Sequence, residues 1–400
     1  MKPVYVIGTC DTKNAELRYA AEQVQAAGGT ALLVDISTTP SAARADVTPA
    51  MVARHHPKGP DAVLGHSDRG QAVAAMADAL THFLLAQSDI GAVLGLGGGG
   101  NTAMVTAAMR ALPIGVPKLM VSTMASGHVG PYVGPTDIMM MHAVADIAGL
   151  NAITRMVIGN AAHAAAGMAL TATPRAEGDR RPVGLTMFGV TTACITQIRH
   201  MIEHECECFV FHATGTGGEC FEKLIDSGLI SAALDITTTE VADHLCGGVL
   251  ACTEDRFGAV IRRRIPWVGS VGACDMVNFG GRETVPAGFS ARNLYVHNPQ
   301  VTLMRTTAEE NARIGRWITE RVNRMEGPVR FLLPLRGVSA IDAPDKPFHD
   351  PEADAALFAA IRETWKPAPN RYLVEIDAHI NDPAFAEAAV HAFRDITKGA

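Results

Sequence analysis

Short runs of aliphatic and β-branched residues alternate with Ala-rich stretches of helical length, and this alternation restricts the possible folds more than any other feature of the sequence. Strand-length runs that are separated by helices predict βαβ crossovers and therefore a parallel sheet. In the first half, the predicted strands and helices are, in order, Val4–Gly8, 14–27, 31–36, 71–86, 92–96, 102–112, Lys118–Ser122 and 151–170.

A polar segment at residues 173–182 separates this half from a second region with the same alternation. Such a segment, which lacks apolar periodicity, is typical of a linker. The predicted strands and helices beyond it are 183–188, 192–203, 208–212, 219–227, 232–236, 329–333, 353–364, 372–376 and 384–394. We therefore predict two α/β domains with mainly parallel sheets, at residues 1–175 and 182–400.

The two predicted domains share short motifs. A strand followed by Gly8-Thr9 opens the first domain, and a strand followed by Gly189-Val190-Thr191 opens the second. In addition, the segment 34–39 resembles the segment 234–239. These similarities indicate either an internal duplication or the turn chemistry that βα units have in common.

Composition and charge exclude several classes of protein. The 400 residues carry 34 basic and 41 acidic side chains, and the net charge of −7 disfavours nucleic-acid binding. The eight cysteines form no CxxC pair and are expected to be reduced thiols. A strand instead of a signal sequence begins the chain, which favours the cytoplasm. The longest uncharged run, 90–109, contains consecutive glycines, so we predict no membrane span.

The strongest local motif is the glycine-rich stretch at 95–102, between a predicted strand and a predicted helix. Backbone N–H groups at a helix start bind phosphate, and glycine lets them approach it closely. Gly95, Gly97 and Gly100 match GxGxxG, but the stretch follows the third strand and no acidic residue lies about 20 positions further on, so NAD is not indicated. The alternative is a turn whose glycines only allow tight packing of helix and strand.

Polar residues lie at three other turns of the first domain. Thr9, Asp11 and Lys13 precede or begin the first helix, Arg69 precedes the helix at 71–86, and the segment 122–127 follows a strand. Because the carboxyl ends of parallel strands share one edge, these turns are predicted to converge on one crevice. Asp11 is a candidate ligand for Mg²⁺ there. Taken singly, each polar residue is better explained by helix capping.

These motifs resemble those of an uncharacterised protein family named for the ATP-binding domain of a tobamovirus resistance protein. Matching stretches lie at residues 8–13, 67–70, 95–102, 120–127, 144–151, 212–218, 234–240 and 331–339. The resemblance implies two Rossmann-like, doubly wound domains, ATP bound by the first-domain loops, and a homodimer. It assigns to ATP the residues Lys13, Arg69, Gly97, Gly98, Gly99, Gly100, Ser126 and Gly127. Thr9, Asp11 and Asn101 complete the predicted cofactor site.

The second domain offers candidates for catalysis. His212 ends a predicted strand, and Thr216 lies in the glycine-rich turn 214–218, a second predicted anion-binding nest. An imidazole near neutral pH can act as a general acid or base, or it can be a hydrogen-bonded structural residue. His200 and His204 form the zinc signature HxxEH, but no third ligand is marked by spacing, so we predict no metal site.

We predict from these features an ATP-binding protein that acts on an unknown small-molecule substrate, with His212 and Thr216 at a cleft between the domains. One alternative is a non-catalytic, nucleotide-gated module that binds another protein. Another is a lyase or hydrolase of small carboxylic acids that uses the Arg336 and His212 regions. Turnover of ATP in the presence of a metabolite would separate an enzyme from a binding module.

Overall fold

The computed structural model of the chain describes residues 1–39, 42–66, 68–171 and 180–398. The chain divides into two compact units, Met1–Ala176 and Glu177–Ala400, called unit 1 and unit 2 below. The linker predicted at 173–182 lies mostly outside the described residues.

Unit 1 is a doubly wound α/β sheet. Its strands are β1 (Val4–Gly8), β2 (Ala31–Asp35), β3 (Ala92–Gly97), β4 (Lys118–Ser122) and β5 (Met139–His142). Its helices are α1 (Cys10–Ala26), α2 (Pro49–Ala53), α3 (Arg69–Leu85), α4 (Gly99–Ala111), α5 (Gly130–Val133) and α6 (Ala152–Leu170). The strand order is β2-β1-β3-β4-β5, and each neighbouring pair is parallel.

Both faces of this sheet are covered by helices, which explains why β1, β3 and β4 are buried along their whole length. Alternate residues of β1 point to opposite faces, so Val6 packs with α1 and α6 while Ile7 packs with α3 and α4. Helix α6 begins with a reciprocal cap, in which the Asn151 side chain accepts from the N–H of Thr154 and the Thr154 hydroxyl accepts from the N–H of Asn151. The two layers of helix leave the strand ends accessible at one edge.

Unit 2 is a second parallel sheet with an antiparallel insert. Its strands are β6 (Arg181–Met187), β7 (Cys206–His212), β8 (Ala232–Thr237), β9 (Trp267–Gly272), β10 (Met276–Phe279), β11 (Leu294–Asn298), β12 (Val301–Arg305), β13 (Val329–Pro334) and β14 (Arg371–Ile376). Its helices are α7 (Thr192–Ile202), α8 (Thr216–Asp226), α9 (Thr239–Cys246), α10 (Gly258–Arg263), α11 (Ala308–Val322), α12 (Pro351–Thr364) and α13 (Pro383–Thr397). The parallel sheet has the order β14-β13-β9-β8-β6-β7, and the insert has the order β10-β12-β11.

The insert packs on the turn that follows β6. Phe188 and Val190 of that turn contact a small apolar cluster that includes Met276 of β10, Leu303 of β12 and the buried Phe348. The insert therefore covers part of the carboxyl edge of the unit 2 sheet, where ligands commonly bind in open α/β sheets.

A buried guanidinium holds the middle of unit 2 together. Arg256 forms a bidentate pair with Asp235, with distances of 2.9 Å from Nη1 to Oδ2 and 2.7 Å from Nη2 to Oδ1. Its Nη1 also lies 3.1 Å from Oε1 of Glu222, and its Nε lies 3.1 Å from Oε2 of Glu240. Since all four side chains are buried, this network depends on the presence of every member.

The prediction of two doubly wound, mainly parallel α/β domains is confirmed. The limits predicted for Val4–Gly8 and Lys118–Ser122 agree with β1 and β4 to the residue. No element was predicted for β5 or for residues 238–328, which contain α9, α10, β9, the antiparallel insert and α11. Among the described residues, no helix combines the length and the apolar character that crossing a membrane requires.

The strand orders give a mixed answer on internal duplication. The strands can be numbered within each unit. Read from β7, the unit 2 sheet then begins with the order second-first-third-fourth, and the unit 1 sheet, read from β2, begins with the same order. However, the similar segments 34–39 and 234–239 span the ends of β2 and β8, which are the second strand of unit 1 and the third strand of unit 2. These two segments are not at equivalent positions, so their likeness reflects turn chemistry.

Candidate nucleotide site in unit 1

A crevice of about 500 Å³ lies at the carboxyl ends of β1 and β3 in unit 1. Strands β1 and β3 are neighbours, but the chain leaves β1 toward one side of the sheet and continues from β3 toward the other. In sheets of this order, ligands bind at this switch point because the two following loops separate there. The crevice volume is in the range of small-molecule and cofactor pockets.

The start of α4 forms one wall of the crevice and presents unpaired backbone donors. Gly98 is the residue before the helix, and it supplies no side-chain cap. Within the described part of the chain, the N–H groups of Gly99, Gly100 and Asn101 donate to no acceptor. Three free N–H groups at the positive end of a helix dipole form an anion site.

The glycines at this helix start are not required by packing. A Cβ on Gly98, Gly99 or Gly100 would have its nearest neighbours at 3.6, 3.8 and 4.0 Å, which is ordinary van der Waals contact. None of the three has a positive φ. At Gly99 and Gly100, which lie within α4, alanine would be more favourable by roughly 0.5–1 kcal/mol, so the absence of side chains leaves room next to the N–H groups.

Gly97 and Asn101 have a structural role instead. Gly97 has a φ of +154°, and a Cβ there would lie 2.5 Å from Cβ of Asn101. The Asn101 side chain donates from Nδ2 to the carbonyl of Leu96 at 2.7 Å, which fixes the turn from β3 into α4. Its Oδ1 is buried and accepts no hydrogen bond within the described residues. Asn101 also lines the crevice, whereas Gly97 does not.

The start of α1 forms the opposite wall, and its donors are already used. The N–H of Cys10 donates to Oδ1 of Asp35 at 3.0 Å, and the N–H of Asp11 donates to the hydroxyl of Ser37 at 3.0 Å. Burial, with the nearby Asp35 carboxylate, raises the pKa of Cys10 to about 12. This helix end therefore carries an internal carboxylate and a protonated thiol, so α4 is the wall that can receive an anion.

Two cationic side chains border the crevice without an acidic partner among the described residues. Nη2 of Arg69 lies 4.0 Å from the position of a Cβ on Gly100, so the guanidinium is next to the free N–H groups of α4. Lys13 lines the opposite side, where the backbone departs from helical geometry with φ −130° and ψ 21°. Helix α3 begins at Arg69. The side chain of Asp68 caps this helix, because its Oδ1 accepts from the N–H of Gln71 at 2.8 Å.

Asp11 supplies a carboxylate to the same crevice. Its Oδ2 accepts a hydrogen bond from the hydroxyl of Thr39, and its Oδ1 is buried without a partner among the described residues. An unpartnered carboxylate oxygen beside threonine hydroxyls is a suitable ligand set for Mg²⁺, which prefers oxygen and retains several waters. Thr9 also lines the crevice and lies 3.0 Å from Thr12 between their hydroxyl oxygens.

The structure brings together most of the predicted cofactor residues, but not Ser126 and Gly127. Both are exposed at the end of a 3₁₀ turn and lie outside the crevice lining. From the same turn, Oγ1 of Thr123 comes within 3.6 Å of a Cβ position on Gly98. The β4 turn is held there by Ser122, whose hydroxyl lies 2.6 Å from that of Thr102 in α4.

Several lining residues were missed by the sequence analysis. Thr38 and Thr39 follow β2, and their position after a strand was the available signal. Ala72, Val73 and Met104 form an apolar wall from α3 and α4, which motif spacing cannot identify. The crevice thus combines an anion-binding end with an apolar surface that suits a flat ring.

In unit 2, the predicted anion nest is occupied by the protein's own carboxylate. Oε1 of Glu240 accepts from the N–H of Gly215 at 2.7 Å and from that of Gly218 at 3.1 Å. The expectation of an external anion at 214–218 is therefore wrong, because Glu240 fills the nest. His212 and Thr216 are exposed beside it, and their catalytic role stays a prediction.

The HxxEH segment lies at the surface at the end of α7. The His200 side chain is 70% exposed, and its Nδ1 lies 3.4 Å from Oε1 of Glu203. His204 follows the helix and is also exposed. Among the described residues, no three His, Cys, Asp or Glu side chains are arranged to hold a metal ion.

Comparisons with known proteins identify relatives over the whole chain. The profile described as "Uncharacterised protein family (UPF0261) N-terminal domain" matches residues 2–174, and that of the C-terminal domain matches residues 180–397. A UPF0261 protein of Rhizobium meliloti (strain 1021) is 55% identical over 397 residues and is covered to 99%. A UPF0261 protein of Clostridium tetani is 41% identical and covers 97% of each chain.

A plant protein is also similar. The ToMV resistance protein Tm-1(GCR237) of Solanum lycopersicum is 40% identical over 419 residues, which cover 98% of this chain and 56% of the tomato protein. A solved UDP-N-acetylglucosamine 2-epimerase from Rickettsia bellii aligns with 67% of this chain and 78% of its own, at 9% identity and a TM-score of 0.23. The resemblance inferred from the motifs is confirmed, and the chain belongs to the uncharacterised protein family UPF0261.

Proposed function

We propose that unit 1 binds ATP at the β1/β3 crevice, with the phosphates on the start of α4. The observation that carries this proposal is the combination of free N–H groups at Gly99 and Gly100 with glycines that packing does not require. A Cβ at these positions would occupy the space that a phosphate needs in order to reach the N–H groups. Glycine there costs helix stability, and close approach of a ligand offsets that cost.

The charges around α4 fit a polyphosphate better than a single carboxylate. Arg69 lies beside the N–H groups, Lys13 borders the other side, and neither has an acidic partner among the described residues. Each can therefore make a charge-assisted hydrogen bond to phosphate without first breaking an ion pair. The apolar wall of Ala72, Val73 and Met104 is suited to the base.

Asp11 supports the use of a magnesium complex of the nucleotide. Its unpartnered Oδ1 can coordinate Mg²⁺, which when bound would neutralise phosphate charge. This feature favours an enzyme of small-molecule metabolism over a module that only binds nucleotide. The eight cysteines are free thiols, which supports a reducing compartment such as the cytoplasm.

Calorimetric titration of the full chain with ATP in the presence of Mg²⁺ tests the proposal. We expect saturable binding with one ATP per chain, and weaker binding of AMP, because AMP lacks the phosphates that reach α4 and both cations. The absence of heat and of thermal stabilisation with ATP would overturn the proposal. Equal affinity for ATP and adenosine would also overturn it, because the phosphates would then make no contact.

A further inference from the structure

A histidine lies at the same crevice of unit 1, on the segment that leads into α3. His66 lines the crevice and lies three positions before Arg69 in the sequence. Its side chain is exposed, so the ring is not part of the core of unit 1. The nucleotide contacts proposed for unit 1 make no use of this imidazole.

One nitrogen of the ring is held by the backbone. Nε2 of His66 lies 2.8 Å from the carbonyl oxygen of Ala62, which belongs to the 3₁₀ turn Pro60–Ala62. That turn is followed by Val63, which is buried in the apolar core of unit 1. Because a carbonyl oxygen accepts and never donates a hydrogen bond, Nε2 carries a proton. The contact with Ala62 therefore sets the tautomer of the ring.

The other ring nitrogen is available to a ligand. Nδ1 of His66 has no hydrogen-bond partner among the described residues. In a neutral ring whose Nε2 is protonated, Nδ1 has a lone pair and can only accept. Phosphate oxygens also accept, so the neutral ring has nothing to donate to them. An N–H at Nδ1 exists only in the doubly protonated imidazolium.

The charges around His66 favour this extra proton when phosphates are present. The charged side chains that line the crevice with it are Asp11, Lys13 and Arg69. The β2 turn and α4 contribute uncharged side chains to the lining. Asp61 and Asp68, which are close to His66 in the sequence, lie outside the lining, and Asp68 caps α3. With two cations and one carboxylate, the empty crevice gains little from a further cation, whereas the triphosphate of ATP carries more negative charge than the two cations neutralise.

We propose that His66 binds the triphosphate through Nδ1 as an imidazolium, so that the nucleotide site takes up a proton when it binds ATP. The proposal rests on ATP binding to the unit 1 crevice. The proton moves from solvent to Nδ1, and no covalent bond other than this N–H forms in the protein. His66 thus adds a positive charge to the site when the ligand is bound, and it makes the affinity for ATP depend on pH.

Calorimetry measures this proton uptake. Titration of the full chain with Mg-ATP at pH 7.5, in two buffers of different ionisation enthalpy, reports the protons that are exchanged on binding. We expect an uptake of about one proton for each bound ATP, and an affinity that falls about tenfold between pH 7 and pH 8. Adenosine has no phosphates, so its binding should show no uptake.

The variant His66→Gln separates the roles of the two ring nitrogens. The glutamine amide can still donate to the Ala62 carbonyl, but it has no group that takes up a proton. We expect this variant to bind Mg-ATP at least tenfold more weakly at pH 7, without proton uptake and without the change in affinity between pH 7 and pH 8. The matched control His82→Gln removes an exposed histidine of α3 outside the crevice lining, and it should keep both the uptake and the affinity.

Three results would overturn the proposal while ATP binding stands. The first is the absence of uptake in the unaltered protein, which needs no variant. The second is equal uptake in His66→Gln, because another group would then take the proton. The third is a similar loss of adenosine affinity in His66→Gln, because the ring would then contact the base or the sugar. A chain that binds no ATP in any variant would overturn the proposed function and this inference with it.

Discussion

The Asp35 carboxylate accepts a hydrogen bond from the backbone N–H of Cys10 at 3.0 Å and so closes the start of α1. The start of α4, on the other side of the same crevice, has no such carboxylate, and its first N–H groups are free within the described residues. Two helix ends that look equivalent in the sequence therefore differ in whether their N–H groups are free to donate a hydrogen bond to a ligand. An added negative charge is favoured at α4 and disfavoured at α1.

Removal of either cation at the crevice should weaken ATP binding. We expect Lys13→Ala and Arg69→Ala each to cost about 1.5–3 kcal/mol of binding free energy, because each loses a charge-assisted contact to phosphate. The matched controls are Lys58→Ala and Arg54→Ala, which change exposed cations of unit 1 outside the crevice lining. Calorimetric titration measures all four. Unchanged ATP affinity in both crevice variants would show that the phosphates bind elsewhere.

Loss of the buried guanidinium should destabilise unit 2 strongly. Arg256→Met leaves Asp235, Glu222 and Glu240 buried without their cation, and we expect a loss of about 3–5 kcal/mol in the free energy of unfolding. All three tryptophans of the chain lie in unit 2, so their fluorescence during urea unfolding reports this loss.

The control for this experiment is Arg262→Ala. Arg262 pairs with Asp226 and Asp255 at 2.7 and 2.8 Å, but its side chain is 48% exposed. Exposed pairs contribute little, so we expect a change below about 1 kcal/mol. Similar losses in the two variants would show that burial of Arg256 is not the source of its contribution.

Burial, together with repulsion from the buried Asp342 carboxylate, raises the pKa of Asp354 in α12, which predicts a pH dependence of stability. A carboxyl whose pKa is about 8 in the folded state binds a proton more tightly than in the unfolded chain. Its contribution is fully present at acid pH and is lost as the pH rises through about 8. Asp354→Asn mimics the protonated form, so its stability relative to the unaltered protein should increase by about 2 kcal/mol between pH 6 and pH 8. Urea unfolding at several pH values measures this difference, and a constant difference would contradict the account.

Elements such as β1 and β4 could be predicted because hydrophobic periodicity determines them locally, whereas β9 and the helices α9, α10 and α11 were not predicted. Strand β5 was not predicted, because its sequence, Met139–His142, is short and contains no β-branched residue. The antiparallel insert also interrupts the strand-helix alternation, with β10, β11 and β12 following one another without a helix. At β5 and at the insert, the pairing of each strand with its neighbours decides the structure. Such pairing joins distant residues and is not visible along the sequence.

The position of Lys13 and of the glycines at the start of α4 in the crevice could be predicted because these residues follow a strand. The site was not predictable where a distant side chain decides the outcome. Asp35 lies 25 positions after Cys10, and Glu240 lies 25 positions after Gly215, so no local spacing marks either contact. Ser126 was assigned by its motif, yet the turn from β4 directs Thr123 toward α4 instead.

The most direct measurement of the central claim is ATP affinity in Gly99→Ala. Because a Cβ at Gly99 meets nothing closer than 3.8 Å, this variant should fold and be as stable as the unaltered protein or slightly more stable. Gly97→Ala is the contrasting variant, since its φ of +154° and a contact of 2.5 Å with Asn101 should make it less stable. We predict that Gly99→Ala weakens Mg-ATP binding at least tenfold with its melting temperature retained. Unchanged ATP affinity in a fully folded Gly99→Ala would contradict phosphate binding at the start of α4.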